Sequence, residues 1–386
     1  MNKNVPSATI QHNDATTQGD EPMKFYPYGH DFGNSEIGGV LIKGKEVLSR
    51  SIPTAFTKVD PSAMRNLGVD MDSALIIQVE GEQTSYGVGS IALAQATDPW
   101  NGRGDIHRYA SSYSLRGLLA VSGSLISDKE YGLLVVTGLP AETYQRNPGL
   151  RKDIKKALEG TYSFTIDGGK TMRTVHIEVG ATIMEGAGAL IAYGGKDKES
   201  AQGSGVIDIG GRTTDLYVAR GQVPVVEFCK GKPIGVESAT QMMMNSFESK
   251  HGFPLSSLEA RGIMHAFVAP GKRKNYPQLS VFGKPIPPEE IDGLVREAVT
   301  QTGEEVVSFV AAAWRQSDSS SAVAARFSPV LNIGGGVFYF FEVLKKRIPH
   351  LTRPEEDPVY ANARGYAQAA VRLLAKKNAA GTGTPA

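Results

Sequence analysis

The chain has 386 residues, enough for two domains that each bury a core, and its 41 Lys+Arg against 40 Asp+Glu leave a formal charge of +1. That balance excludes a broad electrostatic footprint for nucleic acid or for an anionic membrane surface. The single cysteine, Cys229, excludes an intramolecular disulfide, and apolar runs such as Gly117 to Ile126 and Val337 to Leu344 fall short of the roughly 20 residues a membrane helix needs.

The chain opens without the charged-then-apolar pattern of a signal peptide, so a cytoplasmic location is expected. Residues 1–23 are polar and lack apolar periodicity, which predicts a disordered tail. From there β-like runs alternate with helical patterns, as in α/β folds. The clearest strands are Gly39 to Ile42 and Ala74 to Glu80, followed by a charged loop, Asp98 to Arg108. A helix over Ser112 to Ser124, a strand over Tyr131 to Thr137, a helix over Asn147 to Leu158 and a strand over Val175 to Gly180 come next. Two strands, Gly205 to Ile209 and Asp215 to Ala219, precede a helix over Ser238 to Lys250, where Met242 to Met244 and Phe247 read as soft core packing. In the loop Pro270 to Pro277, the basic cluster Lys272-Arg273-Lys274 suits solvent, a subunit contact or DNA. A long helix over Pro288 to Ala313 carries Ile291, Leu294, Val295, Ala298, Val299, Val306, Phe309 and Val310 mostly on one stripe. A strand over Pro329 to Asn332 and a helix over Ala361 to Lys377 close the ordered part, and residues 378–386 read as a flexible tail. No repeat of 20 to 50 residues is present.

Three glycine-bearing turns carry the chemistry. The first, Gly29-His30-Asp31-Phe32-Gly33-Asn34-Ser35-Glu36, leads into an apolar strand. Such a hairpin can aim several backbone N–H groups at one anion, because glycine and asparagine tolerate the required dihedrals, and Asp31 stands where it would hold a water of a magnesium ion. An ordinary Asp-x-Gly-Asn turn is the alternative. In the second, Gly205 to Val218, an apolar strand runs into Asp208, Ile209, Gly210, Gly211, Arg212 and Thr213 before a new strand begins. Backbone donors and Thr213 would meet a γ-phosphate, with Asp208 beside the metal or the attacking water; a bare Gly-Gly hairpin is the alternative. The third, Leu331 to Phe338, ends a strand in Gly334, Gly335 and Gly336, which lets backbone approach a base or ribose closely. Neither G-x-x-x-x-G-K-[ST] nor G-x-G-x-x-G occurs, and the seven histidines form no zinc pattern. His30, beside Asp31, reads as structural or solvated.

On these residues the chain resembles the actin, Hsp70 and sugar-kinase ATPase superfamily, and within it the prokaryotic actin-like proteins related to the plasmid-segregating ParM group. Val135 to Pro140 is similar to the strand of that family ending in Gly-Leu-Pro, Ile183 to Ala189 to its first connecting helix, and Tyr360 to Tyr366 to its final one. The resemblance implies an α/β, actin-like (ribonuclease H-like) fold: two domains, each a mixed β-sheet flanked by helices, with the nucleotide cleft between them. The expected domains are 24–195 and 196–377. Residue by residue it implies Asp31 and Asp208 beside Mg2+, and Gly33, Asn34, Ser35, Gly210, Gly211, Arg212 and Thr213 on the phosphates. Glu185 would orient the attacking water, with Asp208 in the catalytic set, since a loose phosphoryl transition state needs positioning more than a strong base. A helix-start acid acting on the dipole is the other reading of Glu185. Glu237 and Gly334 to Gly336 would meet the adenosine. Arg212 departs from the pattern, standing where a small or hydroxyl residue is usual. The function implied is hydrolysis of ATP to ADP coupled to self-assembly into filaments, with DNA reached through a DNA-binding adaptor and no membrane partner. A small-molecule kinase of the same superfamily and a non-hydrolysing nucleotide-binding scaffold are the alternatives.

Overall fold

The computed structural model describes residues 23–71, 73–102, 104–193, 203–271, 275–314 and 323–381. The expected N-terminal tail, the expected domain boundary at 195/196, Arg103 and the basic cluster at 272–274 therefore lie outside the described residues, apart from Met23.

The first half contains β1 (Phe25–Phe32), β2 (Glu36–Lys43), β3 (Glu46–Pro53), β4 (Phe56–Val59), α1 (Pro61–Asn66), β5 (Ile76–Val79), β6 (Ser85–Val88), α2 (Ser90–Gln95), α3 (Ser112–Leu125), β7 (Glu130–Leu139), α4 (Ala141–Arg146), α5 (Leu150–Leu158), β8 (Gly160–Thr165) and β9 (Arg173–Met184). These strands form one nine-stranded sheet in the order β3-β2-β1-β7-β9-β8-β5-β6-β4. It is mixed: β1, β7 and β9 run parallel, while β1 to β3 form an antiparallel meander. The period of two in β1 places Tyr26, Tyr28, His30 and Phe32 on one face, all buried. On the opposite face Gly29 leaves room for the C-terminal helix, because a Cβ there would lie 1.9 Å from the Ala363 carbonyl oxygen.

After α6 (Ala187–Tyr193) the second half contains β10 (Ser204–Ile209), β11 (Thr214–Arg220), β12 (Val223–Pro224), β13 (Lys230–Lys232), α7 (Val236–His251), α8 (Ser257–Val268), β14 (Ser280–Val281), β15 (Lys284–Pro285), α9 (Pro288–Ala313), β16 (Val330–Ile333), α10 (Val337–Arg347), β17 (Leu351–Thr352) and α11 (Ala361–Gly381). Its main sheet runs β12-β11-β10-β16-β17, again an antiparallel hairpin followed by parallel neighbours. In α9 the stripe residues Ile291, Val295, Ala298, Val299, Val306 and Val310 are buried, with Leu294 and Phe309 packed at its margin. Each half has its own apolar core, and a third cluster joins them: Ala141, Met184 and Tyr193 meet Val206, Tyr217, Leu331 and Ala361. Helices α6 and α11 cross so closely that a Cβ on Gly365 would lie 1.7 Å from the Gly188 carbonyl oxygen. Among the described residues no helix is long and apolar enough to cross a membrane.

Several expected bounds shift. α5 starts at Leu150 because Asn147 terminates α4, donating its N–H to Thr143. The loop before α3 contains a 3-10 turn, Ile106–Ala110, opened by the Asp105 side chain accepting from the His107 N–H. α11 continues to Gly381, beyond the expected end at Lys377.

Candidate nucleotide cleft

The two phosphate-type turns end the corresponding first strands of the two sheets. In the first, Asp31 pairs with Gly38, and Gly33, Asn34 and Ser35 bridge β1 to β2. The Gly33 carbonyl accepts from Thr54 Oγ1 (2.9 Å) and Arg108 Nη1 (3.1 Å), and the Ser35 carbonyl accepts from the Thr54 N–H. Carbonyls held from behind suit a turn whose N–H groups face an anion. In the second, Gly210, Gly211, Arg212 and Thr213 bridge β10 to β11, closed by Gly210 N–H donating to Thr213 O at 2.8 Å. The first amides of α7 grip this turn: Glu237 N–H donates to Gly211 O (2.7 Å) and Val236 N–H to Gly210 O (3.2 Å). Glu237 lies within the first turn of α7 and accepts from Arg212 Nε at 2.9 Å.

The third turn docks on the second. Gly336 N–H donates to Ile209 O at 2.7 Å. Gly334 has φ +82°, and a Cβ there would lie 2.5 Å from Ile209 O and 2.6 Å from Asp208 Oδ1. Glycine is required on both counts. A Cβ on Gly335 would meet nothing within 4 Å, so that residue faces open space. A cavity of about 590 Å³ is lined by Phe338, in the first turn of α10, and by residues 353–358.

The two phosphate-type turns touch: a Cβ on Gly211 would lie 2.0 Å from Ser35 Oγ. Ser35 Oγ and Arg212 Nη1 are both buried there with no hydrogen-bond partner. Beside this contact a second cavity, of about 270 Å³, opens between the halves, lined among others by Asn34, Arg108, Thr213, Asp215 and Lys232. Four carboxyl groups are close enough to feel one another's charge. Burial pushes Asp31 up to about 6, opposed by Arg108 and reinforced by Asp215. Burial and the Asp31 charge push Asp208 up to about 7, and burial and the Asp208 charge do the same to Asp215. Glu185 rises well above the usual range, from burial first and then from Asp215, Asp31 and Asp208. Such crowding of acids favours a cation among them. Among the described residues no group of three or more His, Cys, Asp or Glu is placed to hold a metal ion by itself. The all-oxygen donor set fits a magnesium ion whose remaining ligands are water and phosphate oxygens.

Glu185 is not inside the connecting helix. It sits in the turn between β9 and α6, its N–H donating to Leu139 O at 2.8 Å, while α6 starts only at Ala187. Three further residues of the cleft have no role in the sequence reading. Asp215 lies opposite Asp208 across the β10–β11 pair and is buried, with Thr213 and the Ala141 N–H opposing the upward shift of its pKa. Its signal was present, since a turn at 210–213 puts positions 208 and 215 side by side. Arg108 comes from the short 3-10 turn Ile106–Ala110, whose single turn has no apolar periodicity, and carries no such signal. Asn362, at the start of α11, donates to Asp208 Oδ2 at 2.7 Å.

Residues 29–188 match the family of actin like proteins, N terminal domain, and residues 206–284 match archaeal actin homologue MreB-like, C-terminal. The chain belongs to the prokaryotic actin-like proteins. Among solved structures, this actin-like chain is similar to the archaeal actin homolog Ta0583, at 22% identity and TM-score 0.70, covering 91% of this chain and 100% of that one. A crystal structure of Ta0583 in complex with ADP gives 22% identity and TM-score 0.68, with the same coverage. ParM of Bacillus thuringiensis, solved with ATP, is 14% identical with TM-score 0.66, covering 91% and 100% of the two chains. At these identities the likeness establishes the actin-like fold. No curated protein matches the sequence.

Proposed function

We propose that this actin-like protein binds ATP with Mg2+ between its two halves, hydrolyses it, and assembles into filaments whose stability follows the nucleotide state. The observation that carries this reading is the meeting of the two turns at Ser35 and Gly211, one from each half, over a cluster of four mutually repelling carboxyl groups. Two turns in that position clamp one polyphosphate from both sides. Gly33 to Ser35 and Gly210 to Thr213 hold the phosphates, Glu237 and the open side of Gly335 meet the adenosine, and Asp31 and Asp208 face the metal. A bound magnesium ion would neutralise phosphate charge there. Glu185 orients the attacking water from its turn between the halves. The ADP and ATP complexes of structures sharing this fold support the choice of nucleotide. Partition of DNA through a DNA-binding adaptor extends the reading by analogy with the ParM proteins, and the near-zero net charge agrees with an adaptor making the DNA contact.

Phosphate release in the absence of any small-molecule acceptor tests hydrolysis and separates it from a kinase. Glu185→Ala is expected to lower that release by roughly 100-fold or more while leaving nucleotide affinity near the wild-type value. Equal release by the two proteins sinks the assignment of Glu185. Light scattering and negative-stain microscopy with Mg·ATP, Mg·ADP and no nucleotide test assembly, and the absence of polymer in all three states would remove the filament.

A further inference from the structure

Asn362 is buried at the first turn of α11, and its amide makes two hydrogen bonds that cross the molecule. Its Oδ1 accepts from the Gly186 N–H at 2.9 Å, and its Nδ2 donates to Asp208 Oδ2 at 2.7 Å. The two partners need opposite polarity, an acceptor for the amide and a donor for the carboxylate, which a buried carboxamide supplies with one fixed orientation. Gly186 directly follows Glu185, and the Glu185 turn is itself tied to the end of β7 through Leu139 O. Three residues along α11, Gly365 makes the backbone contact with Gly188 of α6. One short stretch of α11 thus touches the second-half aspartate, the Glu185 turn and the helix crossing. Asp208 belongs to the β10 turn that Gly334 and Gly336 also grip, so it moves with the second half.

We propose that Asn362 is a positioning residue: it fixes the Glu185 turn relative to Asp208, so that whatever engages Asp208 is transmitted to the placement of Glu185. The consequence for hydrolysis rests on the nucleotide reading given above. The mechanical link does not, because it is present in the protein alone. A buried amide serving only packing would satisfy its own groups, and its loss would loosen its surroundings regardless of the state of Asp208.

Hydrogen exchange of peptides covering residues 183–190 reads the link without nucleotide, with the β7 segment 131–138 as the reference for retained folding. Asn362→Ala is expected to speed exchange at 183–190 roughly tenfold or more, because the Gly186 N–H loses its acceptor. Asp208→Ala, with Asn362 intact, should speed the same segment several-fold, and in the Asn362→Ala background it should add nothing further. If Asp208→Ala leaves residues 183–190 as slow as in the wild type, or if the two effects add, the link is overturned. In parallel, Asn362→Ala should lower phosphate release roughly tenfold or more while ADP affinity stays within about threefold. An equal loss of both overturns the positioning role. A wild-type protein that binds no nucleotide overturns the proposed function instead, and the exchange cycle still decides the link.

Discussion

Arg108 shows how much one side chain outside every motif can organise. It is buried, with its guanidinium 5.2 Å from the centre of the Phe32 ring and 4.2 Å from that of Tyr109. Its Nη1 holds Gly33 O, its Nη2 holds Tyr109 Oη at 2.7 Å, and its charge opposes the upward shifts of Asp31 and Glu185. Lysine keeps the charge but not the planar fork. Arg108→Lys is therefore expected to weaken ATP binding by roughly tenfold while leaving adenosine binding unchanged, measured by calorimetry with the two ligands. An equal loss for both ligands would show a general loosening. Beside it on β1, His30 is fully buried between Tyr28 and Phe32, and neither ring nitrogen has a partner. It is structural, and the solvated reading is excluded. Burial lowers its pKa from 6.5 to about 3. Between those values the unfolded chain binds the proton and the native one does not, so stability is lost as pH falls below 6.5. The loss amounts to about 2 kcal/mol by pH 5. His30→Phe should abolish that component, seen as the difference between wild-type and variant urea titrations at pH 7 and pH 5. At this scale the sequence named turn residues well, because glycine, aspartate and hydroxyl groups announce tight turns. It missed Arg108, since a residue in a single 3-10 turn has no periodicity to place it.

At the scale of elements, long amphipathic segments were legible and short edge strands were not. The bounds of α9 follow from a proline start and a 3.6-residue apolar stripe, whereas β12 and β17 have only two residues each and are held at the edges of their sheet by pairing with β11 and β16. α8 went unread although Ser256 and Glu259 form a reciprocal capping box, a signal written in the chain. Glycine has two meanings in these elements, and substitution separates them. Gly293 lies in α9 with nothing within 4 Å of a Cβ, so Gly293→Ala should raise stability by about 0.5–1 kcal/mol through helix propensity. Gly365 lies in α11 against the backbone of Gly188, so Gly365→Ala forces the helices apart and should cost about 1–3 kcal/mol. Denaturant titrations of the two variants should move in opposite directions. A neutral Gly365→Ala would show that the crossing yields easily.

At the scale of the molecule, the two sheets use the same device, a hairpin whose first strand ends one residue beyond an aspartate, flanked by parallel strands. No repeat was visible in the sequence, because topology constrains apolar patterning and turn chemistry but not side-chain identity. The equivalence implies that a ligand held by both hairpins stabilises both halves together. The protein carries a reporter in each: Trp100 stacks on Tyr113 at 3.9 Å in the first half, and Trp314 is buried in the second, donating to Phe228 O at 3.1 Å. Trp314→Phe and Trp100→Phe therefore each leave one tryptophan to report on one half during urea unfolding. With Mg·ATP at about 100 times its Kd, binding to the native state alone contributes about 2.7 kcal/mol. If the nucleotide spans the cleft, both fluorescence transitions should shift by that amount. A shift confined to Trp314 would place the nucleotide on the second half alone, and the contact of Ser35 with Gly211 would then be packing between halves instead of a clamp.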